Sequence, residues 1–197
     1  ASAAMFRDAK ERFSDRLGIP VIEVIQPAVR TAVAFTRSKR IGVIGTEGTI
    51  KSGAYQDSFV ADPDIVVTAA ACPRFVEFVE AGVTAGPDLI AAAHDYLDPI
   101  LEQDIDTLVL GCTHYPFLKN QIRELIGASI TIVDTSDAVV RQLGRQLEQH
   151  GLANEAGIVS LNLLSTANGD TLQAMANRLL HSDLSKLRIE TKTVQTE

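Results

Sequence analysis

Residues 106–118, DTLVLGCTHYPFL, combine a clear strand signal with the most reactive side chains of the chain. The apolar run ends at Gly111, and Cys112, Thr113 and His114 follow directly. Pro116 then stands where a helix can begin, because proline lacks the N–H that a first helical turn leaves unused. A buried strand leading through a glycine into a helix predicts an α/β fold with a parallel sheet.

The alternation of strand and helix continues on both sides of this stretch. The pattern predicts strands at IPVIEVI (19–25), RIGVIG (40–45), DIVVTAAA (64–71), DTLVLG (106–111), SITIVD (129–134), GIVSLNLLS (157–165) and KLRIETKTV (186–194). It predicts helices between them, the first from Ser2 as N-cap to Leu17, and a long one whose Pro99 should kink or divide it. Ligands in such folds bind beyond the carboxyl ends of the strands.

The composition excludes several classes of protein. Among 197 residues, 46% are hydrophobic, which is enough for a sizeable core. A net charge of −7 without a basic run argues against a nucleic-acid partner, and no apolar run is long enough to span a membrane. Two cysteines, 72 and 112, predict no disulfide framework and a cytoplasmic location, and the spacing of cysteines and histidines predicts no metal site.

The glycine-containing turn after the second strand, GVIGTEGTI (42–50), does not match a dinucleotide or P-loop motif, so a nucleotide cofactor is not predicted. Its hydroxyls, Thr46 and Thr49, stand at a helix N-terminus. They are either ordinary helix caps or part of a cradle for a carboxylate.

Cys112 is the strongest candidate for a reactive group. Nearby helix N–H groups and an imidazolium at His114 should lower the pKa of its thiol, and a thiolate can attack a substrate or abstract a proton. Thr113 can donate a hydrogen bond to a substrate carboxylate. The alternative is a buried cysteine beside a histidine that bonds to the backbone.

The remaining reactive side chains have simpler interpretations. Cys72 is expected to be a core thiol, and Glu80 taken alone is a solvated charge at a helix end. The other three histidines, at 94, 150 and 181, are expected to be structural.

Three segments together resemble the aspartate/glutamate racemase superfamily, in the order found there. LVLGCTHYPFL (108–118) resembles the second cysteine motif of bacterial glutamate racemases, and RIGVIGTEGTIKSGAY (40–55) and ACPRFVEFVEAG (71–82) resemble two further segments. IPVIEVIQPA (19–28) resembles the crossover between two lobes. The resemblance implies two similar lobes with parallel sheets flanked by helices: residues 22–133 form the second lobe, and residues 1–21 and 134–197 are the remaining parts of the first.

The resemblance also implies an activity. It is the cofactor-independent, two-base interconversion of L-glutamate and D-glutamate for peptidoglycan synthesis. The implied catalytic residues are Cys112, His114 and Glu80, and the implied substrate-binding residues are Thr113, Thr46 and Thr49. The implied partners are a small-molecule substrate and a second copy in a homodimer, with neither nucleic acid nor membrane.

The start of the chain, ASAA (1–4), resembles residues just after the Cys-Asn-Thr of the first cysteine motif of the family. We therefore expect the first catalytic cysteine to be missing from this chain and the first lobe to be incomplete. Other hypotheses remain open: a related aspartate or hydantoin racemase, a thiol acyl-transfer enzyme using Cys112 and His114, and a non-catalytic binder of acidic ligands.

Overall fold

Four parallel strands form the sheet that organises the first part of the chain. They are β1 (Arg40–Gly45), β2 (Val66–Ala71), β3 (Thr107–Leu110) and β4 (Thr131–Asp134), in the spatial order β2-β1-β3-β4. The computed structural model describes residues 8–153, 160–165, 169–179 and 188–193. The chain divides into two compact units, residues 1–150 and 151–197, and this sheet belongs to the first.

Helices connect the strands of the first unit. They are α1 (Ile25–Phe35), α2 (Glu47–Lys51), α3 (Ala54–Phe59), α4 (Pro73–Glu80), α5 (Pro87–Leu101), α6 (Lys119–Ile126) and α7 (Thr135–Gln149). A 3₁₀ turn, Tyr115–Leu118, precedes α6, and residues 8–17 are helical with a π-helical stretch at Lys10–Asp15. The fold class predicted from the sequence, α/β with a parallel sheet flanked by helices, is confirmed.

Both faces of the sheet are covered, which explains why its central strands, β1 and β3, are apolar after their first residues, Arg40 and Thr107. On one face, Ile41 and Val43 of β1 share a buried cluster with side chains of α1. On the other face, a Cβ at Gly42 would lie 2.9 Å from Cγ2 of Ile100 in α5. The glycine therefore allows α5 to pack closely on the sheet.

The predicted strand at 19–25 is wrong. Residues 18–23 lie in neither a helix nor a strand, and α1 begins at Ile25. The carboxylate of Glu23 accepts a hydrogen bond from the N–H of Gln26 at 3.1 Å, which caps the first turn of α1. Pro27 fits that turn because its missing N–H is not needed there. Of the β-branched residues of this segment, Ile25 is buried, Val24 is partly buried against the same core and Ile19 is exposed, and none of them pairs as a strand.

Two helix predictions can be compared with the structure in detail. The helical segment predicted after β1 is divided into α2 and α3 at Gly53, whose φ of 67° is left-handed. Helix α5 instead continues through Pro99 to Leu101, so this proline does not divide it. Ser2, the predicted N-cap of the first helix, lies outside the described residues.

The second unit contains a smaller βαβ arrangement. β5 (Ser160–Ser165) pairs in parallel with β6 (Arg188–Thr193), and α8 (Gly169–Leu179) connects them in sequence and packs on both. Within the parts of the chain that the structure describes, every helix is too short or too polar to cross a bilayer. The predicted lobe boundaries, at residues 22 and 133, remain a prediction.

Candidate active site

The carboxyl ends of the four strands meet at one edge of the sheet. Gly45 of β1 is aligned with Ala71 of β2, and Leu110 of β3 is aligned with Ile44 of β1 and Asp134 of β4. The residues that follow these strands therefore lie side by side. This is the edge at which ligands bind in parallel α/β sheets.

A cavity of about 480 Å³ opens at this edge. Five of the six site residues proposed from the sequence line it: Thr46, Thr49, Cys112, Thr113 and His114. Three further polar residues of the wall were not proposed: Tyr55, Thr135 and Ser136. The motif DTSD at the end of β4 points to the last two, whereas no sequence signal indicated Tyr55. None of the described residues that line the cavity is a lysine or an arginine.

Gly111 brings the cysteine motif close to the sheet. Its N–H donates to the carbonyl of Ile44 at 2.7 Å, and a Cβ at this position would lie 2.8 Å from the same oxygen. A Cβ would also touch the ring of Tyr55 at 3.0 Å. The strand can therefore turn into the cavity here only with glycine in this position.

Three reactive side chains form a chain of contacts at the cavity. Sγ of Cys112 lies 3.9 Å from Nδ1 of His114, and Nε2 of His114 lies 3.5 Å from Oε1 of Glu80. Glu80 is half exposed at the end of α4, so it reaches the cavity through the imidazole rather than by lining it. The order thiol, imidazole, carboxylate can move a proton away from the sulfur, because the carboxylate stabilises the imidazolium that forms.

The pKa predicted for Cys112 is wrong in direction. Burial raises the pKa of its thiol, although hydrogen bonds from the backbone N–H groups of His114 and Tyr115 act in the opposite sense. The N–H groups of the following turn therefore lower the pKa of Cys112, as expected, but by less than burial raises it. Consequently, a base assists the formation of the thiolate in the substrate-free site, and His114, whose Nδ1 lies 3.9 Å from the sulfur, is placed to be that base.

Thr46 and Thr49 serve as a cap and also line the cavity. Thr46 is the N-cap of α2 and accepts a hydrogen bond from the N–H of Thr49 at 3.3 Å. The two hydroxyl oxygens are 3.0 Å apart. The two interpretations left open by the sequence are therefore compatible, since both residues take part in the cap and both line the cavity.

Cys72 is a structural thiol, as predicted. It is fully buried, and burial raises the pKa of its thiol to about 12. Its carbonyl accepts a hydrogen bond of 2.8 Å from the hydroxyl of Tyr115, whose ring packs edge-on against Phe75. This contact ties the end of β2 to the turn that follows Cys112.

The histidines outside the motif have local roles where the structure describes them. His94 pairs with Asp98 one turn later on α5, at 3.1 Å. His150 ends α7 and contacts the carbonyl of Gln146 at 2.8 Å. His181 lies outside the described residues.

Comparison with known proteins agrees with the fold. The sequence profile of a family described as Asp/Glu/Hydantoin racemase matches residues 4–143. This match covers most of the chain and includes every residue of the cavity wall. The chain belongs to the Asp/Glu/hydantoin racemase family, whose members are amino-acid racemases and related enzymes.

Within this family the chain is similar to glutamate racemases. It is 46% identical over 191 residues to the glutamate racemase of Corynebacterium glutamicum, covering 95% of this chain and 68% of that protein. A glutamate racemase isoform from Bacillus anthracis superposes with a TM-score of 0.83 at 30% identity, covering 100% of this chain and 71% of that one. The glutamate racemase of Francisella tularensis, solved in complex with D-glutamate, gives a TM-score of 0.83 at 26% identity, covering 98% and 71%.

Proposed function

We propose that this chain carries the Cys112 side of the active site of a cofactor-independent glutamate racemase, which interconverts L-glutamate and D-glutamate. The observation that carries the proposal is the contact chain from Cys112 through His114 to Glu80 at the edge of a cavity lined by hydroxyl groups. The relatives support glutamate as the substrate, since those at 43% to 51% identity are named glutamate racemases. D-glutamate made in this way would supply cell-wall synthesis.

Inversion at the α-carbon needs a proton to leave one face and another to arrive on the opposite face. Cys112 transfers its thiol proton to His114, and Glu80 stabilises the imidazolium across 3.5 Å. The thiolate then removes the α-proton of one enantiomer and becomes a thiol again. The opposing acid–base group gives its proton to the other face of the carbanion, and the proton held by His114 returns to that group through solvent. In the reverse direction this thiol delivers its proton to the same face of the carbanion.

Hydroxyl groups of the cavity wall are assigned to the substrate carboxylates. Thr113, Thr46 and Thr49 line the cavity and bring three hydroxyl groups to it. Charge that develops near the α-carboxylate during proton removal is stabilised by such fixed donors in a water-poor site. The proposal does not assign the opposing acid–base group. Cys72 is an unsuitable choice because it is fully buried.

The test measures exchange of deuterium from D₂O into the α-position of each glutamate enantiomer, with the protein expressed from its complete reading frame. Exchange and racemisation are expected with both enantiomers. Cys112→Ala should lower the racemisation rate by about 10³-fold or more. Cys72→Ala is the matched control, a thiol removed outside the cavity, and it should retain exchange.

Unchanged racemisation by a folded Cys112→Ala variant would show that the thiol is not an acid–base group. Faster turnover of aspartate or a hydantoin than of glutamate would instead favour a related racemase. Comparing turnover of these substrates is informative because the matching family profile is described by aspartate, glutamate and hydantoin racemases together.

We also propose the finer assignments that follow from the resemblance: a homodimer, a cytoplasmic location, and a second lobe spanning residues 22–133. Cys72 and Cys112 are both free, and a free thiol that must cycle through its thiolate persists best in a reducing compartment. Light scattering during gel filtration tests the dimer, and a single peak at the mass of one chain would contradict it.

A further inference from the structure

A buried tyrosine presents its hydroxyl to the cavity. Tyr55 is 2% exposed and lines the cavity, and its ring lies against Gly111, the residue before the reactive cysteine. No described residue forms a hydrogen bond with its hydroxyl. In the described part of the chain, every polar side-chain atom that is fully enclosed has a hydrogen-bond partner. Because the hydroxyl of Tyr55 has no partner, it is not fully enclosed, and it is open to the cavity that the residue lines.

Packing explains the ring of Tyr55 but not its hydroxyl. Tyr55 and Phe59 stand one turn apart on α3, and both belong to the buried cluster that contains Ile25 and Val43. A phenylalanine at position 55 would bury the same ring and would avoid placing a polar atom at the floor of the site. A nearly buried hydroxyl without a partner is unfavourable, so its partner is expected in the ligand.

The surroundings determine what kind of ligand atom suits this hydroxyl. Burial raises the pKa of Tyr55, and the neighbouring Cys112 and Glu23 raise it further, so the phenol keeps its hydrogen and acts as a donor. The described cavity wall contains no lysine or arginine. Apart from His114, the described polar side chains of the wall are hydroxyls and the Cys112 thiol, and a carboxylate oxygen is the strongest acceptor that an acidic amino acid offers to a hydroxyl.

We propose that Tyr55 is a substrate-binding residue whose hydroxyl donates a hydrogen bond to a carboxylate oxygen of the bound amino acid. The inference rests on the proposed function for its substrate class. It adds to the site a donor from α3, an element that supplies none of the residues proposed from the sequence.

Tyr55→Phe tests this directly, because it removes one oxygen and keeps the buried ring. With the protein expressed from its complete reading frame, the Kd for D-glutamate and the KM for both enantiomers should rise by about 10- to 100-fold. The value of kcat should change less than KM. The matched control is Tyr96→Phe, since Tyr96 lies on α5 outside the cavity wall. The thermal unfolding midpoint of each variant should stay close to that of the wild type.

The binding measurement separates this inference from the proposed function. A Tyr55→Phe variant with wild-type Kd and KM would overturn the inference while leaving the racemase intact. A variant with unchanged Kd, lower kcat and a shifted pH profile of Cys112 alkylation would also overturn it, because Tyr55 would then act through the thiol. A wild-type protein that binds no glutamate would contradict both.

A comparison with D-glutamine identifies which carboxylate is bound, because glutamine replaces only the side-chain carboxylate with an amide. A smaller loss of affinity for glutamine than for glutamate in Tyr55→Phe assigns the hydroxyl to the side-chain carboxylate. An equal loss assigns it to the α-carboxylate.

Discussion

At the scale of single residues, the two cysteines show how environment separates reactivity from residue type. Each follows the end of a strand, yet Cys72 is fully buried while Cys112 lines the cavity beside an imidazole. The sequence predicted a core thiol at Cys72 and a reactive one at Cys112, because only Cys112 has a histidine two positions later, and the burial of Cys72 agrees with the first prediction. It did not predict that burial would raise the pKa of Cys112. Burial of a strand end depends on the elements packed around it.

The first prediction concerns the chemistry of these thiols. In the substrate-free protein, alkylation of Cys112 by iodoacetamide should show a pH midpoint above that of a small free thiol, because burial raises its pKa. Cys72 should react only after unfolding. Mass spectrometry of the alkylated peptides over a pH series measures both, and a midpoint for Cys112 below that of the free thiol would contradict the upward shift of its pKa.

The second prediction concerns Gly111. Gly111→Ala should lower the free energy of unfolding by about 1–3 kcal/mol, since the new Cβ would lie 2.8 Å from the carbonyl oxygen of Ile44. Racemisation should fall with it, because Cys112 would be displaced. Gly144→Ala is the control, since its Cβ meets no atom within 4 Å in α7, and it should be neutral or stabilising. Urea unfolding compares the variants, and equal losses in the two would contradict the clash.

At the scale of elements, the 3₁₀ turn Tyr115–Leu118 connects the reactive cysteine to α6. Leu118 and Tyr115 of this turn are buried, and Tyr115 reaches across to the carbonyl of Cys72. The sequence predicted a helix start near Pro116, which agrees with a turn followed by α6. It could not predict the bond to Cys72, because the two residues are 43 positions apart.

A third prediction follows from that bond. Tyr115→Phe should lower the free energy of unfolding by about 1 kcal/mol, because a buried carbonyl loses its hydrogen-bond donor. The aromatic contact with Phe75 should remain, since the ring is unchanged. Denaturant titration measures the difference, and Tyr96→Phe again serves as the control. A stability equal to that of the wild type would mean that the turn is held by packing alone.

At the scale of the whole molecule, a single carboxylate holds together distant parts of the first unit. Asp106, just before β3, accepts hydrogen bonds of 2.6 Å from the hydroxyl of Thr36 and from the N–H groups of Arg37 and Ser38. Partial burial by itself would raise its pKa. These bonds, with a further one from Thr107, hold the pKa of Asp106 well below its usual range. The connection from α1 to β1 is thereby fastened to the start of β3.

The fourth prediction concerns how the stability contributed by the hydrogen bonds to Asp106 depends on pH. A carboxyl whose pKa is lower in the folded state stabilises the fold above its unfolded pKa of about 3.9, and this stabilisation is lost as the pH falls towards the folded value. Asp106→Asn should therefore lower the free energy of unfolding by about 1–2 kcal/mol at pH 7, with solvent screening limiting the effect. The difference between variant and wild type should shrink below about pH 4. A difference that is constant from pH 7 to pH 3 would contradict the electrostatic origin.

Local sequence patterns by themselves determined the parallel α/β class, the four strands of the first sheet, the helices after them and the cluster of reactive residues at 112–114. These features depend on the periodicity of side chains along the chain and on prolines and glycines that lie within a few positions of each strand or helix end. Local patterns failed at residues 19–25, where β-branched residues suggested a strand. There, a cap from Glu23 and contacts with the core produce a coil and the start of α1 instead.

Only the tertiary structure decided the strand order, the contact between Glu80 and His114, the raised pKa of Cys112 and the position of Tyr55 at the cavity. Each of these depends on residues far apart in the chain, because the parallel sheet brings the ends of all four strands to one edge. Burial and proximity are properties of that assembled edge. The sequence neighbours of Cys112 therefore predict a reactive thiol, whereas its protonation and its contacts are set by neighbours in space.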